Sequence, residues 1–257
     1  QGKYAEAEAL YERCQAIFEK ALRSEHPILV TRLHNRAVLL EKQGNFVEAK
    51  QLYKRCKAIV EKVLGPDHPA LAVTVYNRAG LLPIQGKYAE AEALYERCQA
   101  IDEKGSDPEH PDFATTLHNR AGLLEKQGKY AEAEALYEWC QAIDEKALGP
   151  EHPDFATTLH SRAGLLEKQG KYAEAEALYE RCQAIKEKAL GTEHPDFAAT
   201  LNNRAGLLEK QGKYAEAEAL YERCQAINEK ALGPDHPDLA ATLHGRAGLL
   251  QKQVRTV

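Results

Sequence analysis

The chain has 257 residues, 44% of them hydrophobic and 28% charged, and a net charge of −5. A negative balance argues against a nucleic-acid partner, whose binders rely on a basic patch. No apolar run approaches ~20 residues, so the sequence predicts no membrane span and no signal peptide, and a cytoplasmic location.

One text is written six times. Gly2, Gly44, Gly86, Gly128, Gly170 and Gly212 each open a copy, and the step is 42 residues without insertion or deletion. A fixed period of this size is the signature of stacked repeats. The chain opens in mid-repeat and contains no methionine, which reads as a piece of a longer array. The expected organisation is a single solenoid over 1–257, with half repeats at both ends. No polar cap closes those ends, so self-association through them is an expectation.

The copy at 128–169 gives the local structure. Tyr130, Ala133, Tyr137, Cys140 and Leu148 fall on one side at helical spacing, and this predicts a first helix, here termed a B helix. Gly149-Pro150 stops it. His152-Pro153-Asp154 then starts an A helix, with proline at a first-turn position and an acid just inside. Its apolar stripe is Phe155, Leu159, Ala163 and Leu166. The short turn at Gly170-Lys171 forces antiparallel neighbours. In chain order, a B helix at 1–22 is followed by A helices near 27–43, 69–85, 111–127, 153–169, 195–211 and 237–253, alternating with B helices. Twelve helices and no strands are expected. Gly105-Ser106-Asp107 should end one B helix early, and Pro83 should end or bend one A helix. Residues 254–257 should fray.

Each copy carries one cysteine: Cys14, Cys56, Cys98, Cys140, Cys182 and Cys224. One per repeat at one position reads as a small buried hydrophobe, because equivalent helices ~8–10 Å apart are too distant for a disulfide.

The copies differ mainly on the A-helix face opposite the apolar stripe. One column reads His34, Tyr76, His118, His160, Asn202, His244; the next reads Asn35, Asn77, Asn119, Ser161, Asn203, Gly245. A third includes Thr31, Thr115 and Thr157, and a fourth puts glycine in mid-helix from Gly80 to Gly248. Amides that donate and accept together suit an extended peptide backbone. The imidazoles suggest a response near pH 6.5. The mid-helix glycines fit either a floor open to a peptide or the close approach of a neighbouring helix. An arginine column from Arg36 to Arg246 borders the apolar side and is expected to bond carbonyls, glutamines and tyrosines between helices in preference to offering charge to an acidic ligand; Lys57 beside it has the wrong sign. A last column, Phe18, Val60, Asp102, Asp144, Lys186, Asn228, is so varied that it reads as a recognition edge or as solvent-facing.

Catalysis finds little support. There is no phosphate loop, no nucleophile beside a base and no metal-ligand spacing; His118 and His160 alone do not make a zinc site. No cofactor is expected.

The motif GKYAEAEALY…EKALGPEHPD…ATTLHNRAGLLEKQ resembles the tetratricopeptide repeat in its 42-residue, kinesin-light-chain-like form, and the resemblance covers the whole chain. Similar arrays occur behind NB-ARC modules of receptor-like proteins. The resemblance implies an all-α, right-handed superhelical solenoid whose concave groove holds a protein or an extended peptide. The residues expected to line that groove are His34, Asn35, Tyr76, Asn77, His118, Asn119, Thr157, His160, Ser161, Asn202, Asn203 and His244; of these the resemblance itself implies only Asn35, Asn77, Asn119, Asn202 and Asn203, while Ser161 and the His and Tyr positions depart from the family pattern and come from the comparison of copies. The expected function is a non-catalytic binding scaffold. The alternatives are a self-assembly module and the recognition array of an NB-ARC-type receptor.

Overall fold

The computed structural model describes residues 2–21, 26, 28–65, 68–83, 86–105 and 110–255. These residues form twelve α-helices and no strand. The chain divides into two compact units, Gln1–Gln127 and Gly128–Val257. The first holds α1 (Gly2–Ala21), α2 (Ile28–Lys42), α3 (Phe46–Val63), α4 (Pro69–Leu81), α5 (Tyr88–Gly105) and α6 (Pro111–Lys126). The second holds α7 (Tyr130–Ala147), α8 (Pro153–Lys168), α9 (Tyr172–Leu190), α10 (Pro195–Lys210), α11 (Tyr214–Ala231) and α12 (Pro237–Arg255). Odd-numbered helices are B and even-numbered ones A.

The His-Pro-Asp starts work as caps. In α8, Pro153 takes the first helical position, and His152 Nδ1 accepts the Asp154 amide at 3.2 Å. His110, His194 and His236 do the same for α6, α10 and α12. Each thereby satisfies a donor that a helix start leaves unpaired. At the far end of α8, Gly170 adopts φ +79° and the Lys171 amide returns to the Leu166 carbonyl at 2.9 Å. That left-handed residue turns the chain into α9 and explains the glycine that opens the copies at 44, 86, 128, 170 and 212.

In each unit an A helix packs most closely on the B helix that follows it. In the second unit Phe155, Ala156 and Leu159 of α8 meet Cys182 and Ile185 of α9. Ala163, Leu166, Ala175 and Tyr179 form the next layer, which Leu207 of α10 closes. Because Leu207 belongs to the next A helix, no helix pair completes its core alone, as the repeat logic requires. In the first unit Leu29, Leu33, Cys56 and Ile59 form the same layer, followed by Ala37, Leu40, Ala49 and Tyr53. Full burial of each leucine, isoleucine or phenylalanine contributes about 1.5–3 kcal/mol before entropy is charged.

Three expectations of detail can be checked. The A helix before Pro83 stops at Leu81, earlier than its counterparts α6, α8 and α10. The B helix ending at Gly105 is not shortened: it spans the same positions as α7 and α11. One glycine in a final turn costs about 1 kcal/mol, too little to unwind a packed helix. Ser106 and Asp107 lie outside the described residues. The helix also does not fray at 254, because α12 continues to Arg255. Val254 stands where the preceding copies have a turn-forming glycine; residues 256–257 are not described.

All six cysteines are free; five are buried and Cys14 is half-buried. The five buried thiols meet a carbonyl or a threonine, as in Cys98 to the Ala72 carbonyl at 3.4 Å and Cys224 beside Thr242 Oγ1 at 3.2 Å. Four arginines of the column bond the glutamine expected and, in place of a carbonyl or tyrosine, a glutamate, both on the preceding B helix. Arg120 donates to Gln99 at 2.6 Å and Glu96 at 2.8 Å. Arg162 meets Gln141 and Glu138, Arg204 meets Gln183 and Glu180, and Arg246 meets Gln225 and Glu222. Each planar guanidinium forks across two acceptors one helical turn apart.

Candidate binding face of the A helices

The two polar columns of the A helices meet in pairs. His34 Nε2 lies 3.3 Å from Asn77 Nδ2, and Asn119 Nδ2 donates to the Tyr76 hydroxyl at 2.7 Å, both in the first unit. In the second unit His160 Nε2 lies 2.8 Å from Asn203 Nδ2. Every pair joins one A helix to the next. The asparagines thus staple successive A helices, a role their spacing alone does not reveal. Asn119 spends its second N–H on the Thr115 carbonyl at 2.9 Å, which leaves Oδ1 as the amide atom open to a ligand N–H. Asn202 is the exception. Its counterpart one repeat on is Gly245, which has no side chain, and Asn202 Oδ1 is buried without a partner. The Tyr221 ring fills the vacated space, 2.9 Å from where a Cβ at 245 would stand.

Of the other expected groove residues, Asn35, Thr157 and His244 are exposed, and His118 and Ser161 are half-buried. Thr157 donates back to the Pro153 carbonyl. The column rings lie edge-on against B-helix tyrosines, His34 to Tyr53 at 5.7 Å, Tyr76 to Tyr95 at 6.0 Å and His160 to Tyr179 at 5.4 Å. Burial lowers the pKa of His34. Burial, with the Lys186 ammonium nearby, carries His160 down to about 4. The His160 ring is therefore neutral at pH 6.5, and the response expected there does not arise from it.

The most varied column is neither an edge nor solvent-facing. Val60, Asp102, Asp144, Lys186 and Asn228 are all 7% exposed or less. Each polar member finds a partner on the A helix that follows. Thr116 Oγ1 donates to Asp102 at 3.2 Å, and Thr158 Oγ1 to Asp144 at 2.7 Å. Asn228 donates to Thr242 at 3.3 Å. Lys186 cannot accept, so its ammonium goes instead to the Asp196 carbonyl at 3.3 Å. A threonine hydroxyl both donates and accepts, which lets one scaffold take different polar partners.

The glycine column leaves the A-helix face low. A Cβ on Gly80, Gly164 or Gly206 would meet only a tyrosine hydroxyl, at 3.7, 3.5 and 3.7 Å. Those are ordinary contacts, so a neighbouring helix does not demand glycine there. Two open cavities lie on this face in the first unit. One, of about 320 Å³, is lined by Gly80, Tyr95, His118, Asn119, Gly122 and Lys126 among others. The other, of about 180 Å³, is lined by Ala72, Tyr76, Asn77, Asp102, Thr115 and Thr116 with Asp112.

The tetratricopeptide-repeat family model matches residues 1–56, 31–104, 112–188, 154–202 and 196–255. The chain belongs to the tetratricopeptide-repeat family. Its helical fold agrees with solved structures. The crystal structure of a Podosopora anserina kinesin-light-chain-like protein with nearly identical TPR-like repeats superposes with a TM-score of 0.70, is 31% identical, and is matched over 80% of this chain and 97% of that one. A single-substitution variant of that protein gives a TM-score of 0.71 at 31% identity, over 81% and 99%. BtubC (BKLC) from P. vanneervenii reaches a TM-score of 0.76 at 21% identity, over 92% of each chain, which speaks to the fold alone. No curated protein matches the chain. Tetratricopeptide repeats are, as a family, protein-interaction scaffolds. No described helix is long and apolar enough to cross a membrane.

Proposed function

We propose that this tetratricopeptide array is a non-catalytic scaffold that holds an extended polypeptide against its A-helix face. The observation that carries this reading is the glycine column. Mid-helix glycine costs about 1 kcal/mol relative to alanine, and alanine would fit here, so packing does not account for keeping it. A floor that a ligand backbone can approach does account for it. The open carbonyl of Asn119 and the cavity over Gly80 and Gly122 support the same assignment.

Gly164→Ala and Gly206→Ala should each raise stability by about 0.5–1 kcal/mol in urea unfolding. Peptides selected from a random display library should bind wild type and lose affinity with Asn119→Ala or Gly80→Leu. Selected peptides that bind all three proteins alike would sink the A-face reading.

A second reading is self-association through α12, which exposes Leu243 and Leu250 at 43% each. Their counterparts Leu201 and Leu208 are buried in the same unit. Light scattering across concentration separates the two: a mass that climbs, and stops climbing with Leu243→Ser/Leu250→Ser, favours assembly.

A further inference from the structure

The arginine ladder is broken at one rung. Arg36 meets Glu12 at 2.5 Å, and Arg120 meets Glu96 and Gln99. Arg78 stands between them in the same unit, and the positions that should answer it hold Lys54 and Lys57. Lys50, one turn earlier, stands where every following copy has glutamate: Glu92, Glu134, Glu176 and Glu218. Three acceptors of the shared scheme have thus become three cations in one copy. Among the described residues Arg78 makes no hydrogen bond or ion pair; the Nε is unpartnered in every arginine of the column, and what Arg78 lacks is the bond of its terminal nitrogens. Lys50 and Lys54 have no acidic partner among the described residues either. Glu61, the acid beside Lys57, is shared: it pairs with Arg97 at 2.5 Å and lies 3.7 Å from Lys57. Lys50 and Lys54 line an open cavity of about 510 Å³ with Lys87, Gln51, Phe46 and Val47. Val47 is 72% exposed. None of these residues lines the two cavities of the A-helix face.

We propose that the surface formed by Lys50, Lys54, Lys57 and Arg78 is a second binding site, separate from the A-helix face, for an acidic polypeptide segment. The rest of the chain shows what fits. Elsewhere the same arginine is answered by a glutamate on a neighbouring helix, so a partner's glutamates or aspartates would complete a rung the chain itself leaves open. Phe46 and Val47 offer such a segment apolar contact, which suits an amphipathic peptide better than a polyphosphate. A guanidinium kept half-buried without an acceptor is costly, and the cost is recovered when a carboxylate arrives.

The test uses the full chain and a labelled peptide of Glu-Glu-Leu repeats, followed by anisotropy. The peptide should bind wild type and weaken as salt rises from about 0.05 to 0.5 M. Lys54→Glu/Lys57→Gln writes the sequence of the other copies back into this one. It should fold with an unchanged or higher melting temperature and bind the peptide at least about tenfold more weakly, the size expected for one lost charge-assisted bond. Asn119→Ala should leave this binding unaltered, which keeps the result independent of the A-helix reading. The proposal is overturned by equal affinity in wild type and the double variant, by no peptide binding to wild type, by loss of binding on Asn119→Ala, or by an oligothymidylate that binds more tightly than the peptide.

Discussion

Phe197→Ala is expected to cost about 3–5 kcal/mol of local stability. Phe197 is fully buried and packs with Ala198, Leu201, Cys224 and Ile227, while the Arg223 guanidinium sits 4.9 Å above its ring. Truncation removes the transfer energy of the ring, opens a cavity between α10 and α11, and takes away the cation–π contact. The chain carries its own control. Leu29, Leu71 and Leu239 occupy the equivalent position in other copies, and all three are buried. Phe197→Leu should therefore cost less than about 1.5 kcal/mol. Repeat arrays add stability locally, so hydrogen exchange across α10 and α11 is a sharper measure than one global melting curve. Phe197→Ala and Phe197→Leu with equal effects would mean that the packing described here does not hold this layer.

Acidification from pH 6.5 towards 4 should destabilise the second unit by roughly 3 kcal/mol through His160 alone. The folded ring is held at a pKa of about 4, against 6.5 for a free imidazole, first by burial and then by Lys186. In that window the unfolded chain binds a proton that the folded one refuses, so stability falls as pH falls and is fully present above pH 6.5. His160→Asn should flatten the dependence without harming the fold, because Asn202 stands at the equivalent place one repeat on. Urea midpoints of the two proteins at pH 7 and pH 4.5 decide the matter. Equal acid losses in both would show that the buried imidazole is not the source.

The period, the helix order, the caps and the apolar stripes were all legible in the sequence, because each rests on spacing and on residues with one strong local preference. Gly170 needs a left-handed conformation and Pro153 needs a first turn, and no distant contact changes that. What tertiary contact decides was harder to read. Variation among copies normally marks an exposed position, so Asp102, Asp144, Lys186 and Asn228 looked like surface. They are interior because the next A helix answers each: a threonine that both donates and accepts meets Asp102, Asp144 and Asn228, and the Asp196 carbonyl meets Lys186. The signal that could have found them was the constancy of Thr116, Thr158, Thr200 and Thr242 beside a changing neighbour. The asparagine staples escaped notice for a related reason: a 43-residue offset between two columns is visible only once the A helices are known to lie side by side. Lys57 looked anomalous on its own and makes sense only with Lys50, Lys54 and the unanswered Arg78.

The cysteine column gives this array a clock in at least four of its repeats. Burial raises the Cys56 thiol to about 12 and lifts Cys98, Cys182 and Cys224 as well. Closed around these four sulfurs, the array offers a labelling reagent almost no thiolate there. When a repeat opens, its own sulfur returns to ordinary reactivity, and the rate of alkylation measures how often that happens. Because the sulfurs recur every 42 residues, mass-spectrometric counting of labels at each would record which segment breathes and how its motion spreads to its neighbours.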